Sequence, residues 1–569
     1  MKRWKNVISA LLLMTLVLTQ ITGLAETPAS DETTAFPAGN PGEVAAVILH
    51  TNDVHVGLQD NIGYDGLALY RKELEEIYDH VLLVDAGDAI QGGPIGVISK
   101  GAEIIKIMNR IGYDLAIPGN HEFDFGFEVL DDCSEQLDCG YICTNFCTTD
   151  GEPVFKPWRM LEAGEIKIAF LAAVTPDTFT KSNIRDILNE TGEPMYDFLA
   201  DETGERLREA LQKSADEARE NGADYVILVS HLGNNSSVTP QFKCDAIAGK
   251  LHGIDMIIDG HSHEYYNRTV PDSTGKEIPI AQTGTKLKAI GQLTIYRDGR
   301  LEERLIDDVP KPESLPAESV LRGKTERYVD PEMKEFLEDI IASYADVMNR
   351  KIGTLSYDLR VREEEDGFDF SRVRENALCN LVADAYRTLG KTQAAFINAG
   401  SVRNGLSAGD ITYQSILGIL PYSNGIVTAR VTGQTILDAL EFGVSKLPEV
   451  SGGFPQVSGI TYRVNAEIPS SVRTDEKNLF VSVDGARRVS DVRIGGEEII
   501  PEQEYTIAAS DFLLDGGDGY TMFSDAKDVT STMMCDNDML KKYIEENLNG
   551  VIPERYRETE ERIQFITEE

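Results

Sequence analysis

The sequence predicts an α/β protein of two domains joined by a helix, and three observations carry that prediction. As far as about residue 310, short runs rich in Val and Ile alternate with amphipathic stretches, the pattern of buried strands separated by helices. Residues 330–350, "DPEMKEFLEDIIASYADVMNR", open on an acidic residue and a proline and carry apolar residues at helical spacing, so they read as a helix between domains. A second alternation, with many glycine turns, fills residues 356–567. At 569 residues and 41% hydrophobic content, the chain is too long for one ordinary core and apolar enough for two.

Residues 1–25 begin with Lys2, Arg3 and Lys5, run through "VISALLLMTLVLT" and reach the small-residue stretch "GLA". That is the pattern of a signal peptide cleaved before Glu26, the alternative being an uncleaved anchor. The expected mature protein is secreted, at the cell surface or periplasmic, without stable membrane insertion. Residues 26–42, "ETPASDETTAFPAGNPG", are polar and aperiodic and read as a disordered spacer. Order is expected from "VAAVILH" at residue 44, through a first domain over 43–325, a linker helix within 326–355 and a second domain over 356–567.

The runs "VAAVILH", "HVLLVDAGD", "IKIAFLAAV", "YVILVSH" and "IDMIIDG" read as strands, and residues 202–220 as a helix. In the second domain, "NALCNLVADAYRTL" and "TGQTILDALEFGVSKL" read as helices, and "AAFINAG" and "YTIAAS" as strands. Proline and charge over 309–330 mark the exit from the first domain.

The formal charge of −41 excludes a nucleic-acid polymer as partner, while leaving a small anionic substrate open if local cations overcome the field. Of the seven cysteines, Cys133, Cys139, Cys143 and Cys147 cluster without paired C-x-x-C knuckles. They read as buried thiols or one local disulfide, with Cys143 in the strand-like "YICTNF". Oligomeric state is not legible.

Chemistry concentrates just behind the first-domain strands. "VILHTNDVH" sets Asp53 and His55 two residues apart, on one face of an extended segment. "VLLVDAGD" ends at Asp88, "LAIPGNHEFD" supplies Asn120, His121 and Asp124, "VILVSH" ends at His231, and "MIIDGHSH" carries His261 and His263. Loops at the carboxyl ends of strands converge in α/β domains, so the five segments can build one site. Five of the eight histidines, His55, His121, His231, His261 and His263, stand at or behind the ends of these apolar runs. A mixed imidazole and carboxylate set suits zinc, manganese or similar ions, and a pair of such ions can clamp both oxygens of an in-line phosphoryl displacement.

In this order, "D-x-H", "GD", "GNHE", a strand-end His and "GH-x-H" resemble the calcineurin-like metallophosphoesterases. The wording "LHTNDVHVG", "GDAIQGGP" and "GNHEFD" is similar to the 5′-nucleotidase/UDP-sugar hydrolase family. The resemblance implies a four-layer α/β/β/α first domain and two divalent ions, one held by Asp53, His55, Asp88 and His263, the other by Asp88, Asn120, His231 and His261. It further implies that hydroxide on the metals attacks phosphorus, that His121 serves the transition state or leaving oxygen, and that Asp124 orients it. Glu122 carries only a structural hydrogen bond.

The second domain offers arginines and rings beside glycine turns: Arg372 and Arg374 in "SRVRENALCNL", Asn398 and Arg403 in "FINAGSVRNG", Tyr422 and Asn424 in "LPYSNG", Phe512 and Asp518 in "DFLLDGGDGY". Arginine forks fit phosphate and flat rings fit a base, but such residues also serve as solvated surface and core. The resemblance continues through "NAGSVR", "PYSN" and "FLLDGGDG". It implies that Tyr422 and Phe512 sandwich a nucleobase, Asn424 touches its edge, Asp518 accepts from ribose, and Arg372 and Arg403 hold phosphate. Gly452 would let the chain approach the ligand. Ala399, Ser401 and Cys379 depart from the family's usual glycines.

The implied activity is an exported, metal-dependent 5′-nucleotidase that releases nucleoside and phosphate from nucleotide substrates. A UDP-sugar hydrolase, a 2′,3′-cyclic-nucleotide phosphodiesterase and a non-catalytic nucleotide binder are the alternatives. The family precedent of a rotation between domains puts the expected hinge in the helix over 330–350.

Overall fold

The computed structural model describes residues 41–182, 194–235, 238–307, 329–363, 367–475 and 478–566. The signal-peptide stretch, most of the spacer and nearly all of the 309–330 exit lie outside the described residues.

The first domain is built on β1 (Val44–Thr51), β2 (Val81–Asp85), β3 (Leu115–Ala116), β4 (Trp158–Ala163), β5 (Ile166–Val174), β6 (Tyr225–His231), β7 (Met256–Ile258), β8 (Tyr265–Pro271), β9 (Glu277–Thr283), β10 (Ile290–Tyr296) and β11 (Leu301–Ile306). One sheet has the order β11-β10-β1-β2-β3 and the other β8-β9-β7-β6-β5-β4. Within them β1, β2 and β3 run parallel, as do β5, β6 and β7. β10 closes on β1 from the far end of the domain, antiparallel, with Ile48 opposite Leu293.

Alternate residues of these strands enter different cores, as the period of two requires. Val47 and Leu49 pack under helices α1 (Gly63–Glu75) and α2 (Ala102–Ile111), against Leu67, Leu74 and Met108. Ile48 and Val84 face Phe170, Ile227 and Ile258 between the two sheets. Leu171 and Leu228 look outward onto Leu207 and Leu211 of α3 (Glu205–Glu220). The layers therefore read α/β/β/α.

The connecting helix α4 (Pro331–Met348) starts where the acidic-Pro signal predicts. The Asp330 carboxylate accepts from the Met333 amide at 2.8 Å and pairs with Lys72 at 2.6 Å. Its Met333, Leu337 and Ile340 join the first-domain core under α1, so the helix is a fixed part of that domain's outer layer.

The second domain centres on β12 (Ala394–Asn398), β13 (Gly425–Thr432), β14 (Pro455–Ser458), β15 (Glu504–Ser510) and β16 (Lys527–Cys535), in the order β14-β12-β15-β13-β16. Ala395 and Ile397 pack on helix α5 (Ala377–Gly390), whereas Ala394 and Phe396 face α6 (Gly433–Gly443). Asn376 and Thr432 cap these two helices.

Two local expectations change. "YICTNF" is not a strand: Tyr141 and Ile142 form single bridges, and Asn145 ties the segment down through Val174 and Phe198. All seven cysteines are free thiols, five of them buried, so the disulfide alternative does not hold.

Candidate active site

The loops that follow β1, β2, β3, β6 and β7 meet at one point, and every first-domain residue singled out above lies there. Asp53, His55, Asp88 and His263 bring one donor atom each to within 4.8 Å of one another. The Nε2 atoms of His55 and His263 stand 3.0 Å apart, close to the separation of about 3.3 Å for two nitrogens on one tetrahedral ion. On the other side of Asp88, its Oδ2 lies 3.1 Å from His231 Nε2, and Asn120 Oδ1 lies 2.7 Å from His261 Nδ1.

Backbone carbonyls aim these rings. His55 Nδ1 meets Gln91 O at 3.0 Å and His231 Nδ1 meets Ala86 O at 2.7 Å, so both present Nε2 inward. His231 Nε2 is buried without a hydrogen-bond partner among the described residues. A buried, inward-facing ring nitrogen beside two carboxylates, 3.1 Å from Asp88 Oδ2 and 3.8 Å from Asp53 Oδ1, fits a metal ligand that exchanges its proton for a cation.

The charges agree. Burial raises the carboxyl pKa of Asp53 and Asp88, but the surrounding histidines outweigh it and hold both acids below the usual carboxylate range. Burial pushes His55 down to about 3, keeping it neutral as metal ligation requires. For His231 burial is outweighed by Asp88 and Asp53, which lift it to about 10. The two buried carboxylates thus demand positive charge, from protons on imidazole or from a divalent cation.

Five of these residues adopt left-handed backbone: Asp53 (φ 51°), His55 (47°), Asp88 (58°), His261 (72°) and His263 (54°). Such conformations cost about 1–3 kcal/mol each and persist only when the surroundings enforce them. Glu122 is one enforcer, with more partners than the single structural hydrogen bond expected of it. Its buried carboxylate accepts from the amides of Asp88, Ala89, Ile90 and Gly119, at 2.8, 2.8, 3.2 and 2.6 Å. Asp259 is another, accepting from Ser230 Oγ and the Leu232 and Gly233 amides behind His231. Gly119 is required by close approach, because a Cβ there would stand 2.2 Å from Asp88 Oδ1.

His121 and Asn120 diverge although adjacent. The Asn120 side chain turns to His261, whereas His121 Nδ1 meets Asp124 Oδ2 at 2.6 Å and its amide donates to Asp88 Oδ1 at 2.8 Å. Burial lowers the His121 pKa, and Asp124 and Asp88 outweigh it, lifting the imidazole to about 10. Its ring stacks on Tyr422 of the second domain at 5.5 Å between centroids and 28° between planes.

That contact sits in a cavity of about 420 Å³ between the domains. Asp88, Asn120, His121, Asp124, His261 and His263 line one side. Arg372, Asn398, Arg403, Tyr422, Asn424, Gly452, Phe512 and Asp518 line the other. Asn398 Nδ2 donates to Asp518 Oδ2 at 2.8 Å, and Arg403 lies over the Tyr422 ring at 5.8 Å. A Cβ on Gly452 would make only ordinary contacts with the surrounding protein atoms.

Arg374 is not brought into the cavity; it pairs with Glu363 at 3.0 Å and covers the Phe370 ring. Arg362 and Asp369 line the cavity instead, and both escaped the sequence reading. No local signal marks them: they meet through a single backbone bridge between residues 362 and 369, and the charged run "VREEEDGFDF" reads as solvated surface.

Among the described residues, no helix is long and apolar enough to cross a membrane.

Comparison with known proteins matches residues 46–265 to the calcineurin-like phosphoesterase family and residues 351–525 to the 5′-nucleotidase C-terminal domain. A 5′-nucleotidase of Vibrio cholerae is 28% identical over 540 residues, covering 88% of this chain and 90% of that protein. The trifunctional nucleotide phosphoesterase protein YfkN of Bacillus subtilis is 26% identical over 560 residues, covering 89% of this chain, which spans only 34% of YfkN. The crystal structure of a 5′-nucleotidase precursor from Thermus thermophilus superposes with a TM-score of 0.70 at 24% identity, covering 92% of this chain and 100% of that one. A calcineurin-like domain implies use of divalent metal, for which the Asp53, His55, Asp88 and His263 cluster is the candidate seat. With a calcineurin-like phosphoesterase domain followed by a 5′-nucleotidase C-terminal domain, the chain is a phosphoester hydrolase of the 5′-nucleotidase type.

Proposed function

We propose that the protein is an exported, metal-dependent 5′-nucleotidase that hydrolyses nucleoside phosphates to nucleoside and inorganic phosphate. The observation that carries this reading is the single cavity lined by metal-type donors of one domain and by arginines and two aromatic residues of the other. Export rests on the leader-like residues 1–25.

Asp53, His55, Asp88 and His263 would hold one divalent ion, and Asp88, Asn120, His231 and His261 a second, with Asp88 shared. Zinc, manganese or a similar ion fits this nitrogen and oxygen donor set. Bound there, the ions supply charge to the phosphoryl oxygens and bring the pKa of water towards neutrality.

The chain's own groups do the rest. Arg372 and Arg403 hold the phosphoryl group, while Tyr422 and Phe512 stack on the base and Asn424 meets its edge. Asp518, steadied by Asn398, accepts from ribose hydroxyls. As the bond from phosphorus to the leaving oxygen breaks, His121 supplies a proton or hydrogen bond to that oxygen, with Asp124 fixing the ring through Nδ1. A metal-supplemented panel of AMP, ADP, UDP-glucose and 2′,3′-cyclic AMP, read by phosphate and nucleoside release, tests the assignment. AMP is expected to give both products, and nucleotide binding without any release would overturn it.

A second reading, hydrolysis of a UDP-sugar diphosphate at the same site, is favoured by the third arginine in the cavity, Arg362. The UDP-glucose arm of the panel decides between them.

A further inference from the structure

We propose that Asp369 is a positioning residue, whose carboxylate clamps the guanidiniums of Arg362 and Arg372 in the cavity wall and so orients them towards the substrate's phosphoryl group. The inference rests on the reading above, in which this wall receives phosphate.

The carboxylate stands between the two arginines. Asp369 Oδ2 is 3.2 Å from Arg372 Nε and 3.4 Å from Arg362 Nη2, and its side chain is only 11% exposed. The opposite oxygen, Oδ1, accepts from Ser371 Oγ at 2.5 Å, which fixes the plane of the group. Arg362 is held a second time: its Nη1 donates to the backbone carbonyl of Arg403 at 2.8 Å, tying the clamp to the segment that carries the third arginine. All three arginines and Asp369 line the cavity.

Two guanidiniums on one carboxylate, with Arg403 beside Arg372, leave an excess of positive charge. Burial, followed by the neighbouring Arg403, holds the Arg372 pKa below the ordinary arginine range. The Oδ2 of Asp369 and the Nε of Arg372 are both buried without a hydrogen-bond partner among the described residues. The two guanidiniums and the Ser371 hydroxyl compensate this carboxylate, and a buried ion pair of that kind is weak evidence for stability. What it provides is orientation, because engaging Arg372 at its Nε edge leaves the terminal amino groups for bidentate contact with a phosphoryl group.

Orientation and charge predict opposite signs, which makes the test sharp. Asp369→Asn removes a negative charge, so a purely electrostatic role makes every phosphate ligand bind more tightly. A positioning role makes phosphate bind more weakly, and KM should rise by about tenfold or more, as expected for one lost charge-assisted hydrogen bond. The assay uses the metal-loaded full-length protein with AMP and with p-nitrophenyl phosphate, which carries the phosphoryl group without a nucleoside. Calorimetric binding of inorganic phosphate is read beside it.

The expected result is a parallel rise of KM for both esters and weaker phosphate binding, with kcat near wild type and competitive inhibition by adenosine unchanged. Asp369→Glu should recover part of the loss. An unchanged or lower KM overturns the proposal, as does an equal loss of adenosine binding. If Asp369→Asn fails to fold, Arg362→Gln carries the same test: raised KM with intact adenosine inhibition supports the clamp, and wild-type KM overturns it. Should the wild type hydrolyse p-nitrophenyl phosphate but no nucleotide, the nucleotidase reading falls while the Asp369 arm is still read on that ester.

Discussion

The two walls of the cavity are held by different means. On the metal-donor side five of the seven donor side chains are buried, the ring nitrogens of His55 and His231 are fixed by backbone carbonyls, and five of the seven residues sit on left-handed backbone. On the facing side the arginines are partly exposed and held by ion pairs, and the rings are free of such backbone constraint apart from the neighbours Ser423 and Asp518, at φ 54° each. One wall is braced by its own backbone; the other is ordered by charge. Substitutions should therefore abolish function on the first side and regrade affinity on the second.

The hardest attempt to break that contrast is Asp88→Asn, which removes the shared carboxylate. Turnover should fall by about a thousandfold or more, and loss of bound metal, measured by elemental analysis of dialysed protein, should accompany it. Unchanged turnover would contradict the two-ion assignment.

Glu122→Gln comes next, since an amide in place of the carboxylate turns a donor towards two of the four backbone amides that the carboxylate serves. Metal affinity should drop by about 10–100-fold, measured by chelator competition, with a lower melting temperature. On the second wall, Tyr422→Ala should raise KM for AMP by about 5–150-fold, the worth of one base stack, and leave p-nitrophenyl phosphate almost untouched. Asp124→Asn removes a carboxylate that lifts the His121 pKa. Because a lower pKa deprotonates the acid sooner, the alkaline limb of the kcat/KM profile should move to lower pH, by about one to three units. The smallest effect belongs to Arg374→Ala: the side chain is outside the cavity, so kinetics should match wild type, in contrast to Arg372→Ala.

This contrast also explains what could be read from the sequence. Asp53, His55, Asp88, Asn120, His121, Asp124, His231, His261 and His263 were legible as one group because each follows an apolar run, and strand ends converge by the geometry of the parallel sheets. The two sheets themselves follow from alternating residues such as Val47, Ile48 and Leu49, which serve different cores. Glu122 lies inside a motif yet shows no trace of its four amide partners, which come from two separate loops. Arg362 reaches the cavity through a pairing of residues 362 and 369 that no periodicity announces. Arg372 and Arg374 are indistinguishable in "SRVRE", and only the fold separates them, through Glu363 and Phe370. The "YICTNF" segment misled because its apolar character serves the core while Asn145 turns the backbone.

The pairing of β1 with β10 has a consequence for the order of events in synthesis. Ile48 closes against Leu293, and every donor from Asp53 to His263 lies on the chain between these partners. The site is therefore enclosed in one long covalent loop, whose closure is a late and non-local step. A chain interrupted just after residue 285 would already contain all seven donor residues. It would lack β10 and β11, and with them one of the two strands that flank β1.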